Sequence, residues 1–190
     1  MQFNKGEAMK QFISSKEEKV INTMRLELAS RSENESFARS TVAAFASQLN
    51  PTLDEINDIK TAVSEAVTNC VVHAYCKGLS FMGRATKGQI NKPSLKSNHE
   101  KIVIACDLYK SGITISVTDF GVGISNIDKA MEPFFTTKPD DERSGMGFTV
   151  MQSFMDTLRV TSNTGGGTTV TMQKFFNLST TKEKRAVGDV

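Results

Sequence analysis

The sequence predicts an α+β domain in which helices cover one face of a mixed β-sheet. Short stretches of alternating apolar residues indicate strands, and longer stretches with a helical repeat indicate helices. The predicted order, β-α-α-β-β-α-β-β, lacks the regular alternation of a parallel sheet. The 190 residues suit one domain. They divide into a flexible N-terminal extension (1–20), a folded domain (21–176) that contains an insertion (76–100), and a polar tail (177–190).

The first half of the chain carries one predicted strand and two predicted helices. Met24, Leu26 and Leu28 alternate with charged residues, as in a half-buried strand. The sequences Ser32–Glu35 and Thr52–Glu55 each predict a helix start stabilised by a capping box. The apolar face of the second helix is formed by Ile56, Ile59, Val63, Val67 and Cys70.

The same helix carries a polar stripe. Glu65, Asn69 and His73 are spaced four residues apart, so they share one side of the helix, far round from the apolar face. A carboxylate and a carboxamide one turn apart provide a proton acceptor and an oxygen ligand for a metal ion. Such a pair suits nucleotide chemistry. Taken alone, His73 is more typical of a helix histidine with satisfied hydrogen bonds.

The second half predicts a hairpin, a helix and a second pair of strands. Residues 102–108 and 113–117 alternate on either side of a Lys-Ser-Gly turn, and an amphipathic helix begins near Phe148. The last pair of strands covers 158–162 and 168–175. The stretch from Cys76 to Glu100 has no sustained period, which is typical of either a functional or a disordered insertion, and disorder is the prediction.

The segment Asp119–Gly123, with the sequence Asp-Phe-Gly-Val-Gly, follows a predicted strand directly. Asp119 is in phase with buried residues, so its carboxylate is expected on the covered face, where it can accept a bond from an amino group such as that of adenine. Gly121 and Gly123 permit positive φ and a close approach to a ligand. Thr168 begins the last strand, and its hydroxyl can join Asp119 around a base ring. A capped glycine-rich turn and an ordinary hairpin threonine are the alternatives.

The segment Ser144–Gly147 leads into the helix at Phe148 and is a candidate phosphate site, because free amides at a helix N-terminus bind phosphate oxygens. The preceding stretch, 134–143, has the composition of a mobile polar lid. Within it, Lys138 and Arg143 can neutralise phosphates. An ordinary helix start and a solvated loop are the alternatives.

Composition excludes several classes of protein. The formal net charge of +2 and dispersed basic residues do not indicate nucleic-acid binding. Three cysteines without a CxxC sequence fit a reducing compartment. The first 20 residues lack the apolar core of a signal peptide, and no stretch approaches the length of a membrane helix. We therefore expect a cytoplasmic protein that binds neither a membrane nor nucleic acid directly.

Four short sequences, taken in order, resemble the ATP-binding superfamily shared by gyrase, the heat-shock chaperone, histidine kinases and mismatch-repair ATPases. They are the Glu65 and Asn69 pair, the Asp-x-Gly-x-Gly at Asp119, the Gly-x-Gly at Gly145, and the Gly-Thr at Thr168. The resemblance implies a Bergerat-type two-layer α/β sandwich. It also implies Asn69 on Mg²⁺, Asp119 on the adenine amine, and an ATP lid from Phe134 to Gly147. The ATP-binding candidates are Asn69, His73, Asp119, Gly121, Gly123, Thr137, Lys138, Arg143, Gly145, Gly147 and Thr168.

Within that superfamily the chain is similar to the anti-sigma F factors of endospore-forming bacteria. The similarity rests on residues 34–39, 64–69, 135–139 and 142–148, and it extends over about Met24 to Phe176. It implies a homodimeric, ATP- and Mg²⁺-dependent serine/threonine kinase. It further implies that the kinase holds a sporulation sigma factor, sigma F, inactive and phosphorylates a serine of an anti-anti-sigma protein. Glu65 would then accept or orient the serine proton, and Arg39 would lie exposed on the partner-binding surface.

The chain departs from the family pattern in three places. Phe120 stands where an acidic residue is more frequent, and both the insertion at 76–100 and the N-terminal extension are atypical. Two other functions stay open: a stress-response anti-sigma serine kinase, and a nucleotide-dependent sigma-binding module with little kinase activity. Glu65 favours a kinase, because a pure binding module does not need it. A detached histidine-kinase catalytic domain is disfavoured, because neither His73 nor His99 heads a long dimerisation helix.

Overall fold

The computed structural model describes residues 18–75, 100–135 and 145–176, in which helices pack on one face of a five-stranded sheet. The strands are β1 (Asn22–Ala29), β2 (Lys101–Tyr109), β3 (Gly112–Asp119), β4 (Thr157–Asn163) and β5 (Gly167–Phe175). The helices are α1 (Glu33–Ala46), α2 (Leu53–Asn69), α3 (Ile127–Ala130) and α4 (Gly147–Phe154). A 3₁₀ turn, Ser47–Leu49, follows α1, and a π-helical turn, Cys70–Ala74, continues α2.

The α+β sandwich predicted from the sequence is confirmed, but the prediction of a mixed sheet is wrong. The strand order is β1-β2-β3-β5-β4, and all four pairings are antiparallel. Two successive helices, α1 and α2, separate β1 from β2. A β-α-β unit has one helix there and gives parallel strands, whereas the second helix reverses the chain once more and makes β1 and β2 antiparallel. The crossover through α4 does make β3 and β4 run in the same direction. They do not pair, because β5 inserts between them.

The core lies between the helices and one face of the sheet. Every second residue of β2 and β3 points into it, as the alternation in the sequence predicts. Helix α2 contributes the apolar face predicted for it, except that its first member, Ile56, is only partly buried. The fully buried large side chains are Val42, Ile59, Val63, Val67, Ile102, Ile104, Leu108, Ile113, Ile115, Val117, Met151 and Met172. Cys70 and Cys106 belong to this core as free thiols, as expected from their positions.

The three segments predicted to lie outside the packed domain fall largely outside the described residues. This holds for the N-terminal extension up to residue 17, for the insertion from 76 to 99, and for the tail from 177. Among the helices of the three described ranges, none combines the length and the apolar character needed to span a bilayer.

Of the two predicted capping boxes, the structure forms one. The Thr52 hydroxyl accepts the Glu55 N–H at 3.2 Å, and the Glu55 carboxylate accepts the Thr52 N–H at 2.7 Å. At the start of α1, by contrast, Ser32 is itself helical and makes no capping bond through its side chain. The Glu35 carboxylate that would complete the box pairs with Arg39 instead. The helical backbone of Ser32 and the Glu35–Arg39 pair thus take the place of the predicted box.

We predict that Thr52→Ala lowers the free energy of unfolding by about 1 kcal/mol, because it leaves the Glu55 N–H without its side-chain acceptor. Ser32→Ala is the matched control. It removes a hydroxyl from the other predicted cap and should change stability by less than about 0.5 kcal/mol. Urea melts of both variants measure the difference, and equal losses would contradict the assignment of a single working capping box.

Candidate active site

The polar stripe of α2 faces the N-terminus of α4. A Cβ atom added to Gly147, the first residue of α4, would lie 3.1 Å from Glu65 Oε2 and 3.3 Å from Asn69 Oδ1. The two predicted features are far apart in sequence, and the structure places them in contact. A carboxylate, a carboxamide and the free N–H groups of a helix start therefore border the same space.

Asp119 ends β3 with its carboxylate buried, and only 5% of the residue is exposed. Oδ1 accepts the Gly121 N–H at 2.9 Å and the Thr168 N–H at 3.3 Å. The bond from the Gly121 N–H is the one expected if Asp119 serves only as the cap of a glycine-rich turn. The carboxylate can still accept further hydrogen bonds, since its two oxygens offer about four lone-pair sites. The predicted placement on the covered face is confirmed.

Burial raises the pKa of Asp119 above its ordinary value of 3.8, although bonds from the Gly121 and Thr168 N–H groups and the Cys70 thiol act in the opposite direction. Burial likewise raises the pKa of the Cys70 thiol, and the nearby Asp119 charge adds to that effect. The folded protein holds the Asp119 proton more tightly than the unfolded chain does. This carboxyl therefore lowers stability as the pH rises from its ordinary pKa to its raised pKa.

The glycines around Asp119 are required by contacts within the protein. A Cβ atom on Gly121 would lie 1.9 Å from the Ala74 carbonyl oxygen, at the end of the π-helical turn. One on Gly167 would lie 2.1 Å from the Asp119 carbonyl oxygen, and Gly167 has φ +82°. Gly123 has φ +71° and packs as closely against the backbone of the β4–β5 hairpin. At each of these glycines, the space that a Cβ would occupy is filled by the backbone of another segment. The absence of side chains therefore lets the segments that form the site pack together.

Thr168 reaches Asp119 through its backbone, whereas the sequence analysis proposed its hydroxyl. That hydroxyl lies 2.9 Å from Ser162 Oγ. Ser162 also accepts the Ile124 N–H at 2.8 Å and lies 2.8 Å from the Gly167 carbonyl oxygen, to which it donates. Sequence analysis missed Ser162, because a serine within a predicted strand gives no signal of its long-range bond to Ile124.

The ends of the predicted lid meet. Gly145 has φ +63°, and a Cβ there would lie 2.6 Å from the Phe134 carbonyl carbon. Phe134 itself has φ +66°, is 75% exposed and precedes residues 136–144, which are outside the described part of the chain. That segment contains three candidates, Thr137, Lys138 and Arg143, whose positions are therefore not described.

Arg39 is not the fully exposed, unpaired charge that the sequence suggests. It forms an ion pair with Glu35 one turn earlier on α1, and its Nη1 lies 3.4 Å from Ser64 Oγ on α2. About a third of its side chain remains exposed. Burial opposes ionisation of Glu35, but hydrogen bonds with Ser64 and Arg39 and the arginine charge hold the pKa of Glu35 below its ordinary value. Arg39 thus joins α1 to α2 directly beside Glu65.

His73 lies on the π-helical turn after Asn69 and is half-buried. The same turn holds the loop after β3, since the Ala74 carbonyl oxygen accepts the Val122 N–H at 2.8 Å. Tyr75, which the sequence analysis did not select, follows this turn and bonds the same loop. The irregular turn thus brings the end of α2 against the segment that begins with Asp119. Departures of this kind from α-helical geometry are frequent at functional sites.

Comparison with known proteins gives a consistent result. A model of the histidine kinase-like ATPase domain matches residues 28–174. The anti-sigma F factor of Clostridium beijerinckii is 48% identical over 158 residues, which are 83% of this chain and 96% of that protein. The anti-sigma F factor of Clostridium acetobutylicum is 50% identical over 83% and 96% of the two chains, and that of Caldanaerobacter subterraneus subsp. tengcongensis is 51% identical over 82% and 94%.

We predict that Gly167→Ala lowers the free energy of unfolding by roughly 2–5 kcal/mol, because the new methyl group meets the Asp119 carbonyl oxygen and the residue keeps a positive φ. Gly165→Ala is the matched control. Gly165 also has a positive φ, +77°, but no atom lies within 4 Å of its added Cβ, so its loss should be only about 1–2 kcal/mol. Denaturant melts compare the two variants. Equal losses would show that the close approach of Gly167 to Asp119 relaxes without cost.

Proposed function

This chain belongs to the histidine kinase-like ATPase domains and, among them, to the anti-sigma F factors, and on that premise we propose its specific activity. It binds ATP, holds a sigma F-like sporulation sigma factor inactive, and phosphorylates a serine of an anti-anti-sigma protein. The observation that carries the proposal is the contact between Gly147 and the pair Glu65 and Asn69. A proton acceptor, an oxygen ligand and a phosphate-binding helix start border one space, which is the arrangement that phosphoryl transfer needs.

The buried carboxylate of Asp119 is proposed to select adenine. A desolvated carboxylate with acceptor capacity left over favours a ligand that presents an amino group, because an N–H donor replaces the water that burial removed. Gly121, Gly123 and Thr168 support this role by fixing the carboxylate and the loops around it. His73, on the turn below, is proposed to line the same nucleotide site.

The residues present fit a Mg²⁺ ion that is held mainly by the nucleotide. Within the described ranges, no three His, Cys, Asp or Glu side chains converge as a metal cluster. Mg²⁺ is commonly bound by one or two protein oxygens together with substrate phosphates, and the Asn69 carboxamide oxygen beside the helix start is such a ligand. When bound, the ion would neutralise phosphate charge.

The remaining chemistry falls to the side chains. Glu65 accepts or orients the proton of the incoming serine hydroxyl. The helix start at Gly145 and Gly147 holds the phosphate tail. Thr137, Lys138 and Arg143 are proposed to complete the phosphate contacts from the lid, where the two cations would neutralise charge. Positioning and charge stabilisation, rather than covalent catalysis, then provide the acceleration.

Partner binding is proposed to involve Arg39 on α1, whose exposed third can pair with a partner carboxylate if the Glu35 contact exchanges. We also propose a homodimer in the cytoplasm. Within the described residues, no helix covers the second face of the sheet. There, Ser116 lies 3.2 Å from Thr171 and Thr118 lies 3.0 Å from Thr169 across neighbouring strands, on a surface that a second copy can cover.

Two other functions use the same nucleotide site: a stress-response anti-sigma serine kinase, and a sigma-binding module with little kinase activity. The first differs only in the sigma factor it holds. The second differs in chemistry and has no use for a proton acceptor at Glu65. The contact of Glu65 with the helix start favours a kinase over a simple binding module.

We predict that Asp119→Asn weakens ATP binding by about one to two decades, because an amide donor can then face the adenine amine and a charge-assisted bond is lost. ATP binding to the parent should also weaken toward acid, at a pH above the ordinary Asp value of 3.8, because protonation of the raised-pKa carboxyl removes acceptor capacity. Calorimetry across pH measures both effects. Asp128→Asn, at an exposed position on α3, is the control. An unchanged affinity in Asp119→Asn would leave Asp119 as a turn cap alone.

We predict that Glu65→Gln retains ATP binding and slows phosphoryl transfer to the anti-anti-sigma protein by about 10²–10⁴-fold, because the amide keeps the shape but cannot accept the proton. Labelled ATP and the purified acceptor protein measure the transfer. Glu33→Gln, at an exposed position in the first turn of α1, should behave as the parent does. Near-parental transfer in Glu65→Gln would remove this residue from the mechanism, and absence of transfer in the parent would favour the binding module.

A further inference from the structure

Tyr75 uses the full hydrogen-bonding capacity of its hydroxyl at the end of α2. The hydroxyl donates to the Lys101 carbonyl oxygen, and it accepts the Lys101 N–H at 3.2 Å and the Phe120 N–H at 3.0 Å. A phenol has one donor and two acceptor sites, so all three are occupied. Burial raises the pKa of Tyr75, which keeps the hydroxyl protonated and able to donate at neutral pH. All three partners are backbone groups.

The third of these bonds lies next to the nucleotide site. Phe120 directly follows Asp119, and its side chain is 50% exposed, yet its backbone N–H is bonded. The Lys101 side chain adds a second link, since its Nζ lies 5.4 Å from the centroid of the Phe120 ring. Lys101 is therefore bonded to Tyr75 through its backbone and contacts Phe120 through its side chain.

The loop after Asp119 is consequently held from two directions. On one side, the Asp119 carboxylate bonds the Gly121 and Thr168 N–H groups. On the other, the end of α2 bonds the N–H groups of Phe120, through Tyr75, and of Val122, through a backbone carbonyl. The Cys70 thiol bonds the carboxylate itself, and Tyr75 bonds the backbone of the residue that directly follows Asp119. The Phe120 N–H belongs to the peptide group that also contains the Asp119 carbonyl, so this bond restrains the backbone that carries the carboxylate.

We propose that Tyr75 is a positioning residue for nucleotide recognition, which fixes the Asp119 carboxylate against the adenine ring through the Phe120 backbone. This inference rests on the proposed ATP site. It concerns the base and not the phosphates, because none of the three Tyr75 bonds reaches Glu65, Asn69 or α4. It differs from a purely structural role, in which Tyr75 would only join β2 to the end of α2 across residues 76–99.

The test is Tyr75→Phe, which keeps the ring and removes only the hydroxyl. Because one net hydrogen bond contributes about 0.5–1.5 kcal/mol, ATP affinity should fall roughly twofold to tenfold. KM for ATP should rise by a similar factor while kcat is unchanged. Binding of inorganic tripolyphosphate, which lacks the base, should be unaffected. Tyr109→Phe is the matched control, since Tyr109 is the other tyrosine of the chain and lies at the opposite end of β2.

Three results would overturn the proposal: unchanged ATP affinity in a folded Tyr75→Phe, an equal loss of ATP and tripolyphosphate binding, or a fall in kcat without a rise in KM. If Tyr75→Phe does not fold, amide hydrogen exchange on the parent decides. Protection of the Phe120 N–H that increases when ATP binds supports the proposal, and unprotected exchange with ATP bound overturns it. A parent that binds tripolyphosphate but not ATP would show that the proposed function itself fails at the base, whatever Tyr75 does.

Discussion

The arrangement of this protein depends on the burial of one carboxylate. Asp119 ends β3 inside the domain, where an ionised group is unfavourable unless donors surround it. The backbone N–H groups of Gly121, in the loop after β3, and of Thr168, in β5, donate to it. Because they have no side chains, Gly167 lets β5 approach the Asp119 backbone and Gly121 lets the loop approach Ala74. The requirement to stabilise this charge therefore dictates much of the local sequence.

Helix α2 links the segments around Asp119 to the rest of the fold. One face of α2 lies in the core against the sheet, and the polar stripe on another side faces the start of α4. A single helix thus fixes the distance between the hydrophobic core and the side chains proposed to act in phosphoryl transfer. At its end, the π-helical turn carries Ala74 and Tyr75 onto the loop after β3. Helix α2 and the turn that continues it therefore position both the residues proposed to bind the base and those proposed to bind the phosphates.

The proposed partner surface is joined to the same helix. Arg39 and Glu35 on α1 meet Ser64, which immediately precedes Glu65 on α2. A protein that competes for Arg39 would act on a cluster adjacent to the proposed catalytic glutamate. This proximity gives a short physical connection between binding of a regulatory protein and the nucleotide site, through one ion pair and one hydroxyl group.

The sequence by itself determined the five strands, the three longer helices and the residues that lie on their faces. Local periodicity placed every strand, the polar stripe at Glu65 and the burial of Asp119, because side-chain direction follows directly from helical and strand geometry. The Thr52 cap followed from a local motif for the same reason. Tertiary structure decided what depends on distant neighbours. Ser32 makes no capping bond because its own backbone is helical, and the sheet is antiparallel because β5 inserts between β3 and β4. The bonds of Ser162 and Tyr75 join segments that are brought together only when the sheet and α2 pack, so no pattern within either segment could reveal them.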